Sequence, residues 1–397
     1  MVSKNVLVIN SGSSSLKFAV IDSQSGDALI SGLGECFGLP EAVIGWKFNG
    51  EKVQEAISDL ENPHQAAVSR VVKLMEELGF CDSIVAVGHR IVHGGEKFDS
   101  AVRIDDEILK EIEDLSELAP LHNPAGAKGI RAAMSAYPSL PQFAVFDTAF
   151  HQTMPEKAFI YAVPYELYEK YGIRRYGAHG TSHYFVSREA AKMIGKKVEE
   201  TSVITVHLGN GASVAVVENG ICLDTSMGFT PLAGLMMGTR CGDIDPIVIE
   251  FLIKKGWARE DVFEMLNKKS GFLGISEITS DVRGIVEAMN EGNKGAKLAF
   301  DVFTYRVAKY IASYLAPLSS LDAIAFTGGI GENSLDVRRE VIKNLSILGF
   351  EEDVAGNEAA RFGASGQIAE SKMLGAKAVV IPTNEEFVIA QQSVALL

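Results

Sequence analysis

Four short runs open the chain as strands. Val6–Ile9, Leu16–Ile21, Ala28–Gly32 and Val43–Phe48 are rich in apolar residues, separated by polar or glycine-containing breaks, and Asn49-Gly50 is a turn signal after the last. The period then changes. Val68, Val71, Val72, Met75 and Leu78 recur at helical spacing, which predicts a helix over about His64–Leu78. Ile84–Val87 reads as a buried strand ending at Gly88-His89-Arg90. Strands first, then helices and strands in alternation, predict a mixed α/β domain.

Between the first two strands stands Asn-Ser-Gly-Ser-Ser-Ser, Asn10 to Ser15. A hairpin needs only two turn residues. Six small polar residues therefore predict a loop whose amides and hydroxyls approach a phosphate, with a plain surface loop as the alternative. The opening pattern also returns: VLVINSGSSSLKFAVID, from Val6, aligns with VITVHLGNGASVAVVEN, from Val203, at an offset of 203 − 6 = 197. A duplication is the reading, giving two related domains that each present a glycine-containing hairpin and face one another. A third glycine-rich turn, AIAFTGGIGENS, follows a strand at Ala323–Phe326 and precedes a helix expected from Ser334 or Asp336. Amides at such a junction suit a nucleotide. No G-x-G-x-x-G and no G-x-x-x-x-G-K-[ST] occurs, so neither a Rossmann dinucleotide reader nor a P-loop is supported.

Charge narrows the partners. With 37 Lys and Arg against 51 Asp and Glu the net charge is −14, which argues against a nucleic-acid or anionic-membrane surface. An anionic substrate must then meet a local group of cations, so arginines in glycine-rich settings matter most. Four cysteines, Cys36, Cys81, Cys222 and Cys241, form no C-x-x-C pair, which argues against zinc and disulfides and fits reduced thiols in a cytoplasm. No signal-peptide core and no membrane-spanning run is found, so a cytoplasmic location is expected.

The strings INSGSSSLKF, GHRIVHGG, LAPLHNP, VFDTAFH, YGAHGTSH, HLGNGAS, GTRCGDIDP, TGGIGEN and IPTNEE closely resemble the acetate kinases, from Val6 to about Ala390. That family lies in the superfamily of sugar kinases, actin and heat-shock chaperone ATPases. The resemblance implies an α/β fold of two duplicated ribonuclease H-like (actin/sugar-kinase type) domains around a nucleotide cleft, usually as a homodimer. The implied boundaries are 1–150, completed by a C-terminal helix at 386–397, and 151–385, carrying most of the nucleotide site. The implied enzyme is a phosphotransferase with a carboxyl acceptor, converting ATP and acetate to ADP and acetyl phosphate by direct in-line transfer with Mg2+ or Mn2+.

Phosphoryl transfer asks mainly for positioning and for cations around the transferring oxygens. The resemblance places Arg90 and Arg240 at the acetyl and γ-phosphoryl groups, where a guanidinium fork suits planar oxygens. His179 and His183 have the i, i+4 spacing of a metal pair, yet the glutamate of H-E-x-x-H is absent and Gly180-Thr181-Ser182 looks like a loop and helix cap. By resemblance His179 donates to the phosphoryl, and His183 is structural within the following helix. Asp147 carries an acid/base label in the family. A carboxylate substrate, however, has no proton to lose at neutral pH, so we read Asp147 as orienting an arginine and organising the metal shell.

The resemblance gives the metal to Asn10 and Glu385, with Glu386 as a helix N-terminal carboxylate. Ser11–Ser15 and Lys17 line phosphates, joined from the other domain by His207, Leu208, Gly209, Asn210 and Gly211. Asp281, Val282 and Arg283, with Gly329, Ile330, Gly331, Glu332 and Asn333, hold the adenosine part; a helix-surface ion pair is the competing reading for Asp281 and Arg283. An apolar pocket of Val92, Leu121 and Pro231 sets acid size. Some relatives have phenylalanine where Ala178 stands, so propionate kinase is the nearest rival, and an ATPase switch without phosphotransfer a more distant one. The stretch PLAGLMMGTR is read as methionines packing under Arg240, with Gly234 and Gly238 leaving the loop free to move.

Overall fold

The alternation seen at the N-terminus is a sheet buried on both faces. The computed structural model describes residues 4–120 and 122–397. Strand β1 (Asn5–Gly12) sends Leu7 and Ile9 into a core with Phe18, Val20, Val68 and Val71. Its other face sends Val6 and Val8 into a core with Ile21, Ala86, Ile389 and Ala390. The first of these cores is closed by the helix Pro63–Glu77, whose buried Ala67, Val68, Val71, Leu74 and Met75 make one stripe.

The first sheet continues with β2 (Ser15–Asp22), β3 (Ala28–Glu35), β4 (Val43–Phe48), β5 (Glu51–Ala56), β6 (Ile84–Ile91), β7 (Val102–Arg103) and β8 (Gln142–Phe146). Its order is β5-β4-β3-β2-β1-β6-β8-β7, with β1, β6 and β8 mutually parallel and β1 to β5 an antiparallel meander. The second sheet holds β9 (Ser202–Leu208), β10 (Ala212–Glu218), β11 (Ile221–Thr225), β12 (Ala323–Thr327), β13 (Phe350–Glu352), β14 (Gly366–Ser371) and β15 (Lys377–Val380). Its order is β11-β10-β9-β12-β15-β14-β13, with β9, β12 and β15 parallel. Both sheets thus share a three-strand meander followed by two parallel strands, β3-β2-β1-β6-β8 in one and β11-β10-β9-β12-β15 in the other. The repeat read from sequence is a repeat of topology.

Contacts divide the chain into two units, one reaching Phe150 and taking in Asn384–Leu397, the other His151–Thr383. The helix Glu385–Ala395 belongs to the first, where Val388, Ile389 and Ala390 are buried. Gly88 admits it: a Cβ there would lie 2.6 Å from Ile389 Cγ2 and 2.8 Å from Ser393 Oγ. No described helix is long and apolar enough to cross a membrane.

Two local expectations are corrected. The segment Asn10–Ser15 is not a loop but a tight hairpin, with Asn10 opposite Lys17, Ser11 opposite Leu16 and Gly12 opposite Ser15. Its small residues serve close packing: a Cβ on Gly12 would lie 2.9 Å from Ser15 Oγ, and one on Gly129 would lie 2.1 Å from Ser11 Oγ. The second hairpin is one residue different, because Leu208 pairs with Ala212 across Gly209-Asn210-Gly211. The offset of 197 therefore holds from Asn10 to His207 but becomes 213 − 17 = 196 at their partners Lys17 and Ser213. Nor is GGIGEN a turn. It forms the helix Gly328–Asn333 at once after β12, and a second helix, Leu335–Asn344, follows. Gly328 takes φ +76° at the junction, where a Cβ would lie 2.7 Å from the Leu208 carbonyl oxygen.

Candidate active site

In the first unit, two neighbouring parallel strands deliver the charged pair. Arg90 is opposite Val145 and Ile91 opposite Phe146, and the Asp147 amide donates to the Ile91 carbonyl at 2.9 Å. Arg90 and Asp147 then meet in a two-pronged pair: Nε donates to Oδ1 at 3.0 Å and Nη2 to Oδ2 at 2.6 Å. Asp147 is 1% exposed. It raises the Arg90 pKa further above its usual value. Burial pushes the Asp147 carboxyl up, Arg90 pulls it down and nearby Glu385 pushes it up. The net direction is upward, while the two parallel hydrogen bonds from Arg90, which keeps its proton, favour the ionised carboxylate.

Asn10 lies near the end of β1, partly exposed. Glu385 and Glu386 open the C-terminal helix, whose N-cap Asn384 accepts from the Phe387 amide at 3.0 Å. Lys17 is paired with Glu386, so its ammonium is engaged within this unit. Val92 follows β6, half-buried. Leu121 lies outside the described residues, and Pro231 belongs to the second unit.

In the second unit His179 sits at the mouth of the helix Gly180–Met193 with φ +58°. Gly180, Thr181 and Ser182 are the first turn of that helix and not a loop, because the left-handed His179 already makes the bend. His179 Nδ1 lies 2.8 Å from Ser213 Oγ, and the ring stacks on His207 at 4.3 Å. A Cβ built on Gly211 would meet His179 Nε2 at 3.4 Å and Arg240 Nη1 at 3.6 Å. The absent side chain thus leaves a small space bordered by imidazole and guanidinium.

Arg240 donates from Nη1 to the Pro231 carbonyl at 3.2 Å and makes no ion pair among the described residues. Burial lowers its pKa, though an arginine remains charged. A half-buried guanidinium without a carboxylate is a place for an anion. Met237 Sδ lies 3.7 Å from Arg240 Nη1, and Met236 and Met237 are both buried, 1% and 0% exposed. The glycines of this loop serve close packing. A Cβ on Gly234 (φ +97°) would lie 2.5 Å from the Ser226 carbonyl oxygen, and one on Gly238 1.9 Å from Asn210 Oδ1. Backbone bonds from Gly238 to Asn210, Phe272 to Met237 and Ser270 to Thr239 fix the segment in place.

A cavity of about 1000 Å³ lies within the second unit. Gly209, Asn210, Asp281, Val282, Arg283, Gly329, Ile330 and Asn333 line it. His207, Leu208, Gly211, Gly331 and Glu332 do not. Leu208 and Gly331 are buried, while Glu332 Oε1 accepts from the Gly328 and Thr383 amides at 3.0 and 3.2 Å. Asp281 caps the helix Val282–Asn290, accepts from the Arg283 amide at 2.8 Å and pairs with the Arg283 guanidinium. The ion pair and the cavity lining are therefore both present. Sequence reasoning missed Arg361 and Phe362 on the same wall. Phe362 is 82% exposed at φ +53°, its amide held by Asn333 Oδ1 at 3.0 Å. An aromatic in that conformation was legible only as a residue before Gly363.

The duplicated actin-like fold, with an Arg240 that makes no ion pair among the described residues and a glycine-walled cavity in the same unit, is that of a kinase of the actin and sugar-kinase class. The chain belongs to the acetokinase family, whose model matches residues 5–391. An acetate kinase 2 of Vibrio cholerae is 73% identical over 397 residues, covering 100% of both chains. Among solved structures, the acetate kinase of Porphyromonas gingivalis is 42% identical with a TM-score of 0.92, covering 99% of each chain. A propionate kinase from Francisella tularensis has the same identity of 42% and TM-score of 0.92, covering 99% of this chain and 100% of its own.

Proposed function

We propose that this chain transfers the γ-phosphoryl of ATP reversibly to acetate, giving ADP and acetyl phosphate by direct in-line displacement with Mg2+. The buried Arg90–Asp147 pair carries this reading. It holds a guanidinium in one orientation, as recognition of a small carboxylate demands. The propionate rival is not favoured, since the 73% identical relative is named an acetate kinase and the propionate-named structure is 42% identical.

Asn10 supplies an amide oxygen and Glu385 a carboxylate that makes no ion pair among the described residues. No three His, Cys, Asp or Glu side chains converge as a metal cage among those residues. Two hard oxygen donors suit Mg2+, which keeps most of its waters and binds chiefly through substrate phosphates. When bound, the ion offsets charge on the phosphate oxygens. Arg90 orients the acetate, Asp147 holds Arg90, Arg240 receives the γ-phosphoryl charge, and His179 donates to a phosphoryl oxygen. No general base is needed, because the attacking oxygen is already ionised. The second-unit cavity takes the adenosine, with Asp281, Arg283 and Gly329–Asn333 on its wall, and Lys17 exchanges Glu386 for a phosphate.

Acyl phosphate trapped with hydroxylamine tests the substrate, using ATP, Mg2+ and formate, acetate, propionate or butyrate. Acetate is expected to give the highest kcat/KM, with propionate about 10-fold or more lower, the discrimination available to one methylene. A propionate optimum would reject acetate as substrate; ATP hydrolysis with no acyl phosphate would reject transfer altogether.

The proposed assembly is a homodimer in the cytoplasm. The helix Ile247–Lys254 has no buried residue, and Ile247, Phe251, Ile253 and Trp257 are exposed by 42–63%. Such a patch is a surface for a second copy. Phe251→Glu is expected to convert dimer to monomer by light scattering. An unchanged mass would exclude this helix as the interface.

A further inference from the structure

Four side chains of the second unit form one hydrogen-bonded file. Thr205 Oγ1 lies 2.7 Å from His183 Nδ1, His183 Nε2 lies 2.8 Å from Ser213 Oγ, and that oxygen lies 2.8 Å from His179 Nδ1. Thr205, His183 and Ser213 are each 0% exposed. A hydroxyl has one proton, and a neutral imidazole has one N–H and one bare nitrogen. The file therefore has a direction, and the proton at one end fixes the proton at the other.

Thr205 has two acceptors in reach, His183 Nδ1 at 2.7 Å and the Ala215 carbonyl at 3.3 Å. The carbonyl at 3.3 Å lies beyond the usual range of an O–H···O bond, about 2.5–3.0 Å, so we assign the Thr205 proton to His183 Nδ1. His183 must then carry its proton on Nε2 and donate to Ser213, and Ser213 must donate to His179 Nδ1. This leaves the His179 proton on Nε2, the nitrogen that shares the space at Gly211 with Arg240.

We infer that Thr205, His183 and Ser213 are positioning residues that lock neutral His179 as an Nε2 hydrogen-bond donor toward a phosphoryl oxygen, an inference that rests on the role given to His179 above. The surrounding charges favour that form. Arg240 and the stacked ring of His207 stand beside His179, so a further positive charge there is opposed. Burial, with His151 and His207 alongside, holds the His183 pKa well below its usual value, so His183 stays neutral. A donor that needs no added proton works equally well as pH rises through the histidine range.

Neutron diffraction from perdeuterated crystals reads the lock directly. Deuterium is expected on Nε2 of both His179 and His183, and deuterium on Nδ1 of His179 would overturn the inference. Thr205→Val keeps the shape and removes the directing proton. Its kcat is expected to fall about 10-fold, the low end for a mispositioned donor, with KM for ATP and acetate within about 2-fold. Thr205→Ser should retain wild-type kcat. Unchanged kcat in Thr205→Val would also overturn the lock. His179→Gln with full kcat, alongside deuterium on Nε2, would support the lock and overturn the phosphoryl role of His179.

Discussion

Arg90→Ala is expected to lower kcat/KM for acetate about 10³-fold, a transition-state loss typical of removing a positioned charge. The same change should destabilise the first unit by about 3 kcal/mol, because Asp147 would remain buried beside Glu385 with no guanidinium. This cost depends on pH in a definite direction. Burial and Glu385 push the Asp147 carboxyl up, and Arg90 is its main opposing influence. In the variant the native state therefore holds a proton that the unfolded chain, near pKa 3.9, has already released. Stability must then fall as pH rises from the unfolded value through the raised native one. Thermal melts should show the Tm deficit against wild type widest at pH 8 and narrower at pH 5. An equal deficit at both pH values would mean that Asp147 is not the source of the instability.

Arg338→Met should be the most destabilising single change in the second unit, by about 4 kcal/mol. Arg338 is 0% exposed and reaches no carboxylate by hydrogen bond. Instead it donates to Asn357 Oδ1 at 2.7 Å, the Asn357 carbonyl at 2.7 Å, and the carbonyls of Gly331 and Glu332 at 2.9 and 2.8 Å. Burial pushes its pKa down to about 10, still protonated at neutral pH. These acceptors include the C-terminal carbonyls of the helix Gly328–Asn333, which face a hydrophobic neighbourhood once the guanidinium is gone. A Tm loss of about 10 °C is expected for a unit of this size. Because that helix borders the cavity, KM for ATP should rise about 10-fold while KM for acetate stays within about 2-fold. A parallel rise in both would show that Arg338 supports the unit at large and not the wall proposed for the nucleotide.

The two-sided alternation of Val6–Ile9 and Val203–Val206 was legible because strand periodicity is strict, and the repeat was legible because both copies start from it. The turns were not. Small polar residues at Asn10–Ser15 look the same whether they form a loop or permit a tight hairpin to pack against Gly129. GGIGEN has poor helix propensity, yet it becomes helical because Glu332 receives its first amide and Arg338 its last carbonyls. Arg90 and Asp147 were legible as separate motifs, but their two-pronged pairing depends on the parallel register of β6 and β8. Thr205 and Ser213 gave no signal at all, since a hydroxyl inside a strand is ordinary there. Only their neighbours make them part of a file.

The first unit is discontinuous in the chain, and this sets an order of events during synthesis. Residues 151–383 are translated between its body and the helix Glu385–Ala395. At about 5–20 residues per second, that interval is roughly 10–50 s. Throughout it the nascent first unit exposes the groove that Val388, Ile389 and Ala390 will fill, including the apolar face of Val6 and Val8. The second unit, continuous in sequence, can finish folding on the ribosome while the first still waits for its last helix. Chaperone demand in the cell should therefore fall on the half of the enzyme that is made first.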